Sequence, residues 1–173
     1  MAEYVLIPHP YNPPAEVSGV TVSLMRDSDM LVLDYRVEGG PLDLPPPVAP
    51  ARTDELWKRT CFELFLRADG EDGYIEFNFS PSGAWAAYAF TRYRTGMRPL
   101  PLDKEPTVTR VRSSARVRCV LPSGMPASRM ALTAVIQEVG GRCSFWSLAH
   151  PVGPPDFHHP DCFAARLTAA GTV

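Results

Sequence analysis

Apolar and polar residues alternate along most of this chain, and apolar positions almost nowhere recur at the three-and-four spacing of an amphipathic helix. That is the pattern of half-buried strands. The candidate strands are residues 20–26, 30–37, 60–67, 74–80, 84–93, 107–112, 116–121, 130–138, 144–150 and 162–168. Clusters such as Asp27-Ser28-Asp29, Pro81-Ser82-Gly83 and Gly140-Gly141 separate them, residue types that favour tight-turn backbone angles. About ten strands in one chain predict two packed antiparallel sheets, an all-β sandwich. Segment 39–50 carries Pro45-Pro46-Pro47, which cannot donate to a ladder, and predicts a stiff rim loop leading into a short helical turn at 54–58.

The hairpin spanning 61–80 is the most informative stretch, because side chains on a strand point alternately to its two faces. Phe62, Leu64, Leu66, Ile75, Phe77 and Phe79 share one face, the expected core. The opposite face holds Cys61, Glu63, Phe65, Tyr74, Glu76 and Asn78, a mixture of aromatic and hydrogen-bonding groups unlike a freely solvated sheet. Across Pro81-Ser82-Gly83 two registers are open, one placing Trp85 and the other Tyr88 beside Glu63 and Asn78. Ala84, Ala86, Ala87 and Ala89 leave room around either aromatic. Such a surface suits a sugar, whose C–H face stacks on an aromatic ring while its hydroxyls meet carboxylate and amide groups. The competing expectation is a filled site, with the proline-rich loop over Trp85 and Tyr88 and Glu63 paired to Arg59 or Arg92.

A second constellation lies in FWSLAHPVGPPDFHHPDCF, residues 145–163, where alternation places Trp146 and His150 on one face and four prolines stiffen the following loop. His150, Asp156, His158, His159 and Asp161 include atoms able to bind a metal, but their spacing matches no established metal pattern. Structural histidines, ligand contacts and metal or haem ligation are the three readings. In the hairpin TVTRVRSSARVRCVL, a three-residue turn at 113–115 would set Arg110 and Arg112 against Arg118 and Arg116, a like-charge opposition that an anion, neighbouring carboxylates or solvent would relieve.

With 173 residues the chain has the length of one domain, residues 1–173. A formal charge of −2 gives no bulk attraction to nucleic acid or anionic membrane. The start, MAEYVLIPHPYNPP, has neither a basic region nor an apolar run of export or membrane-spanning length, so a cytoplasmic protein is expected. Cys61, Cys119, Cys143 and Cys162 form no CxxC pair and read as buried free thiols, Cys162 being the one with a histidine, His159, close in sequence.

In three blocks, WKRTCFELFL, YIEFNFSPSGAWAAYAF and FWSLAHP with PDFHHPDCF, the chain resembles the DOMON superfamily, specifically its bacterial stand-alone DOMON-like members, which are similar in fold to the family 9 carbohydrate-binding modules. The resemblance covers about residues 52–163. It implies an immunoglobulin-like antiparallel β-sandwich with a pocket for sugar or haem at the sheet. Sugar-binding relatives stack the ring between aromatics, for which Trp57, Trp85 and Trp146 are the available positions. Haem-binding relatives use a methionine with a histidine or lysine, here Met97 with His150, His158 or His159. Domains of the superfamily are usually secreted or membrane-tethered, from which the start of this chain departs.

The leading expectation is a non-catalytic module that binds a carbohydrate or similar polyhydroxylated small molecule through Trp57, Glu63, Asn78, Trp85, Tyr88, Trp146 and His150. A b-type haem carrier for electron transfer is the rival. A glycoside hydrolase with Glu63 and Glu76 at the separation of roughly 5–5.5 Å that retention requires stands in reserve.

Overall fold

A computed structural model describes residues 1–123, 125–126 and 128–167, and the last position of the expected 162–168 strand lies outside them. Among the described residues, twelve strands run in chain order: β1 Ala2–Pro8, β2 Val17–Asp27, β3 Met30–Gly39, β4 Cys61–Ala68, β5 Tyr74–Phe79, β6 Trp85–Phe90, β7 Arg98–Pro99, β8 Thr107–Val111, β9 Ser114–Val120, β10 Ser128–Gln137, β11 Cys143–Ser147 and β12 Ala165–Leu167. They hydrogen-bond in the order β7-β6-β5-β4-β10-β11-β1-β2-β3-β9-β8, with β12 on the β11 side of β10. The all-β fold expected from alternation is present. A single antiparallel sheet curls over and packs on itself.

The curl happens at β1. Its first residues, Ala2 to Leu6, pair with β2, whereas Ile7 and Pro8 pair with β11. Proline ends the strand there, since it brings no N–H to continue a ladder. Two layers result, β1-β2-β3-β9-β8 against the remainder, and one core lies between them. Tyr35 on β3 stacks on Phe62 of β4 with ring centroids 4.9 Å apart, and its hydroxyl donates to the Glu63 carbonyl at 2.7 Å, tying one layer to the other. Phe62, Leu64, Leu66, Phe77 and Phe79 are fully buried in that core, on the face alternation assigns them, each contributing about 1.5–3 kcal/mol by burial.

Segment 40–50 runs along the sheet and touches its ladder through a single antiparallel bridge, Leu42 with Glu138. Asp43 N–H donates to the Gln137 carbonyl and Val48 N–H to the Ser82 carbonyl, and a 3-10 turn follows at Leu56–Lys58. The arginine hairpin is one residue tighter than expected. Val111 pairs with Ser114, so Arg112, with a φ of 57°, lies in the turn; Arg116 then faces Thr109, and Arg118 faces Thr107. Arg116 pairs with Asp34 at 2.6 Å, and Arg110 lies opposite Ala115 and donates to the Pro45 carbonyl. The expected opposition of arginines is thereby removed, and Thr109 and Val111 are exposed. Among the described residues, no helix is long and apolar enough to cross a membrane.

Candidate functional site

On the face of β4, β5 and β6 turned away from the main core lies a second apolar cluster containing Phe65, Tyr74, Tyr88, Phe90, Val135, Phe157 and Phe163. An outward sheet face ordinarily meets water, so this face must be covered. The covering comes from the loop after β11, which lays His158 edge-on against Phe65 at 5.3 Å and Phe90 at 5.2 Å between ring centroids. A cleft of about 1000 Å³ remains beside it, lined by Asn12, Asp54, Glu55, Trp57, Glu63, Phe65, Glu76, Tyr88, Phe90, Arg94, Met97, Val135, Phe145, Pro155, Phe157 and His158.

Strand register builds its floor. Thr133, Glu63, Asn78 and Ala86 form one row across β10, β4, β5 and β6; Ala131, Phe65, Glu76 and Tyr88 form the next. Glu63 is 2% exposed and Glu76 6%. Thr133 donates to Oε2 of Glu63 at 2.8 Å, and Asn78 Nδ2 donates to Oε1 of Glu76, also at 2.8 Å. Among the described residues, neither carboxyl has an arginine or lysine within ion-pairing distance; Arg59 is held by Asp43 instead. Burial pushes both carboxyls well above the ordinary carboxylate range, with the Glu76 charge adding to the rise at Glu63 while the bonds from Thr133 and Asn78 oppose it. The expected arginine-sealed site is therefore absent. Asn78 itself is completely buried, and its Oδ1 accepts no bond from the protein.

The wall opposite is fixed by Asp156. Its carboxylate accepts from Arg94 Nη2 at 2.7 Å, from the Tyr93 hydroxyl and from the His158 N–H at 3.1 Å. Arg94 reaches it from a tight turn after β6 in which Arg94 has a φ of 50° and Gly96 a φ of 68°. A Cβ at position 96 would collide with the Thr91 side chain, so glycine is required there. Tyr74 accepts from the Arg94 N–H, and its hydroxyl shares a second hydrogen bond with His158 Nδ1 at 2.7 Å. The other ring nitrogen, Nε2, faces Oε2 of Glu76 at 3.9 Å. Burial first, then the Arg94 charge, lowers the His158 pKa to about 4, so the imidazole is neutral at ordinary pH.

Of the residues singled out in the sequence, the structure gathers Glu63, Tyr88, Trp57, Met97 and His158 around the cleft. Trp57 is 50% exposed and Met97 62%, so both stand at its mouth. Trp85 and Trp146 are elsewhere. The loop between β5 and β6 pairs Phe79 with Trp85, which turns Trp85 into the core, under the Arg52 guanidinium, and turns Tyr88 outward. Trp146 pairs with Ala134, itself opposite Phe62 on the core face, so it too points inward and donates to Ser144. The stacking pair expected from Trp85 and Trp146 does not form. His150 lies past the end of β11, donating to the Ile7 carbonyl and packing on His9. His159 accepts from Asp161 N–H in a surface turn. Neither lines the cleft. Phe90, Phe145, Phe157, Arg94 and Asp54 escaped sequence reasoning; only Phe145 carried a local signal, as the strand neighbour of Trp146 with the opposite orientation.

Among the described residues, no group of three or more His, Cys, Asp or Glu is placed to hold a metal ion. A haem fits the donor set poorly. Met97 and His158 are the candidate axial ligands at the cleft, but His158 Nδ1 is hydrogen-bonded to Tyr74 and its Nε2 faces Glu76, and three more carboxyls, Asp54, Glu55 and Glu63, line a cleft that would have to take the anionic propionates. All four cysteines are free; Cys162 donates to the Asp156 carbonyl and burial pushes its pKa up to about 11, the opposite of a thiolate nucleophile.

No family model matches the chain, and no curated protein does. Its fold is that of a solved structure, a Bacteroides uniformis protein proposed to bind carbohydrate, with a TM-score of 0.67 over 94% of this chain and 84% of that one at 16% identity. At that identity the likeness is one of fold.

Proposed function

We propose that this chain is a non-catalytic binding module that takes a carbohydrate or similar polyhydroxylated small molecule into the cleft on β4, β5 and β6. The observation that carries this reading is a cleft whose floor holds two buried carboxyls, each hydrogen-bonded by a single neutral side chain, between aromatic walls. Hydroxyls supply the donors those oxygens lack, and Tyr88, Phe65 and Phe90 offer ring surface to the C–H face of a sugar. The resemblance of its sequence blocks to DOMON-like proteins accords with it, as does the description of the Bacteroides protein of like fold. Four free thiols accord with a reducing compartment such as the cytoplasm.

Thermal unfolding of the purified protein against a panel of monosaccharides, amino sugars and haem tests the proposal. A ligand specific for the folded state raises stability by about 2.7 kcal/mol at 100 times its Kd. The expected result is a shift with sugars that Glu76→Ala and Tyr88→Ala each diminish, with no Soret band after haem is supplied. Haem capture, or sugar shifts indifferent to both substitutions, would refute it.

A further inference from the structure

The cleft carries an imbalance of charge that a plain sugar site does not need. Its lining contains four carboxyl side chains, Asp54, Glu55, Glu63 and Glu76, against one arginine, Arg94. Arg94 is already engaged, bonded to Asp156 through both Nε and Nη2. Of the two outer carboxyls, Glu55 pairs with Lys58 at 2.7 Å and Asp54 accepts from Tyr88 at 2.5 Å. The two inner ones, Glu63 and Glu76, are buried and, among the described residues, have no cation in contact, His158 being neutral. A buried carboxylate without a counter-charge is costly, and in practice it either takes a proton or waits for a cation. Around this pair stand the rings of Phe65, Tyr88 and Phe90. Aromatic faces attract cations and do nothing for anions.

We propose that the cleft selects polyhydroxylated ligands that bear a cationic amine, an amino-sugar type of molecule, over neutral and anionic counterparts. This deepens the sugar-binding reading and rests on it. The ammonium group sits at Glu63 and Glu76, where it replaces the proton that the pair otherwise retains, and the sugar ring lies toward Tyr88 and Trp57. Glucuronate and similar acids are rejected by like charge. Because the cation displaces a proton from the carboxyl pair, binding releases protons to the buffer near neutral pH.

The test is calorimetric titration of the wild-type protein at pH 7 with glucosamine, glucose, N-acetylglucosamine and glucuronate, each in two buffers of different ionisation enthalpy. The expected result is tenfold or greater preference for glucosamine over glucose and N-acetylglucosamine, no binding of glucuronate, and a buffer-dependent heat for glucosamine alone. In Glu63→Gln and in Glu76→Gln the preference for glucosamine over glucose falls to threefold or less. Should either variant fail to fold, the wild-type comparison still decides. Equal affinity of the wild type for glucosamine and glucose overturns the inference and leaves the sugar site standing. Failure of all four ligands to bind overturns both.

Discussion

Thr133 on β10 donates its hydroxyl to Oε2 of Glu63 on β4 at 2.8 Å, across a strand pair that sets the two residues directly opposite each other. Among the described residues it is the one hydrogen-bond partner of that carboxyl. Thr133→Val keeps the side-chain shape and removes the donor, so stability should fall by about 1–3 kcal/mol where Glu63 is ionised and by less where it is protonated. Urea denaturation at acid and alkaline pH measures both values; an equal loss at the two would contradict the role assigned to the bond.

The paired carboxyls make a separate statement about pH. Burial, and for Glu63 also the Glu76 charge, raises their pKa values above the unfolded value of 4.5. A raised pKa means the folded state holds more protons than the unfolded chain, so this contribution is fully present below about pH 4.5 and is lost as pH rises through neutrality. The wild-type melting temperature should therefore decline on the alkaline side, and Glu63→Gln should flatten the decline. A variant whose profile parallels the wild type would show that the pair is not the source.

His158 acts in the other direction. Its pKa of about 4, below the ordinary 6.5, means the unfolded chain takes up a proton that the folded chain refuses. Stability from the neutral ring is present above about pH 6.5 and is lost as pH falls toward 4. An NMR titration of the His158 ring should show a midpoint near 4. Tyr74→Phe removes the bond to Nδ1 and should change the tautomer balance, which the nitrogen shifts report.

Glu138 anchors the chain between β1 and β2. Its carboxylate accepts from the N–H groups of Ala15 at 2.8 Å, Glu16 at 3.0 Å and Val17 at 2.6 Å. Burial works to raise its pKa, but these three donors and Arg142 outweigh it and hold the group below the ordinary carboxylate range. The stability it adds is present above about pH 4.5 and is lost on acidification. Glu138→Ala leaves three donors without their acceptor and should cost about 3 kcal/mol at neutral pH, read from chemical denaturation.

Much of this molecule is readable from residue order, and the reason differs from part to part. Alternation over 61–79 assigns Phe62, Leu64, Phe77 and Phe79 to one face and Glu63, Phe65, Glu76 and Asn78 to the other, because a strand's side-chain period is a local property of the backbone. Two strands escaped the pattern: β1, whose Pro8 and Pro10 read as loop, and β7, which is two residues long. The tryptophans misled for a related reason. Whether Trp85 or Tyr88 faces outward depends on how the chain closes between Ser80 and Ala84, where Ser80 N–H donates to the Ala84 carbonyl, and alternation cannot choose between the two parities.

By itself, then, the order of residues determined an all-β fold, its main strands and an outward face too polar for core and too aromatic for a solvated surface. Only the tertiary structure decided which aromatic stands over that face, that no arginine neutralises Glu63, and that a loop brings His158 back onto Phe65 and Tyr74. Arg94 and Asp156, 62 residues apart, meet because the loop after β11 returns across the outer face of the sheet toward β6. Such encounters follow from long-range packing and the Coulomb attraction it permits, and neither leaves a periodic trace along the chain.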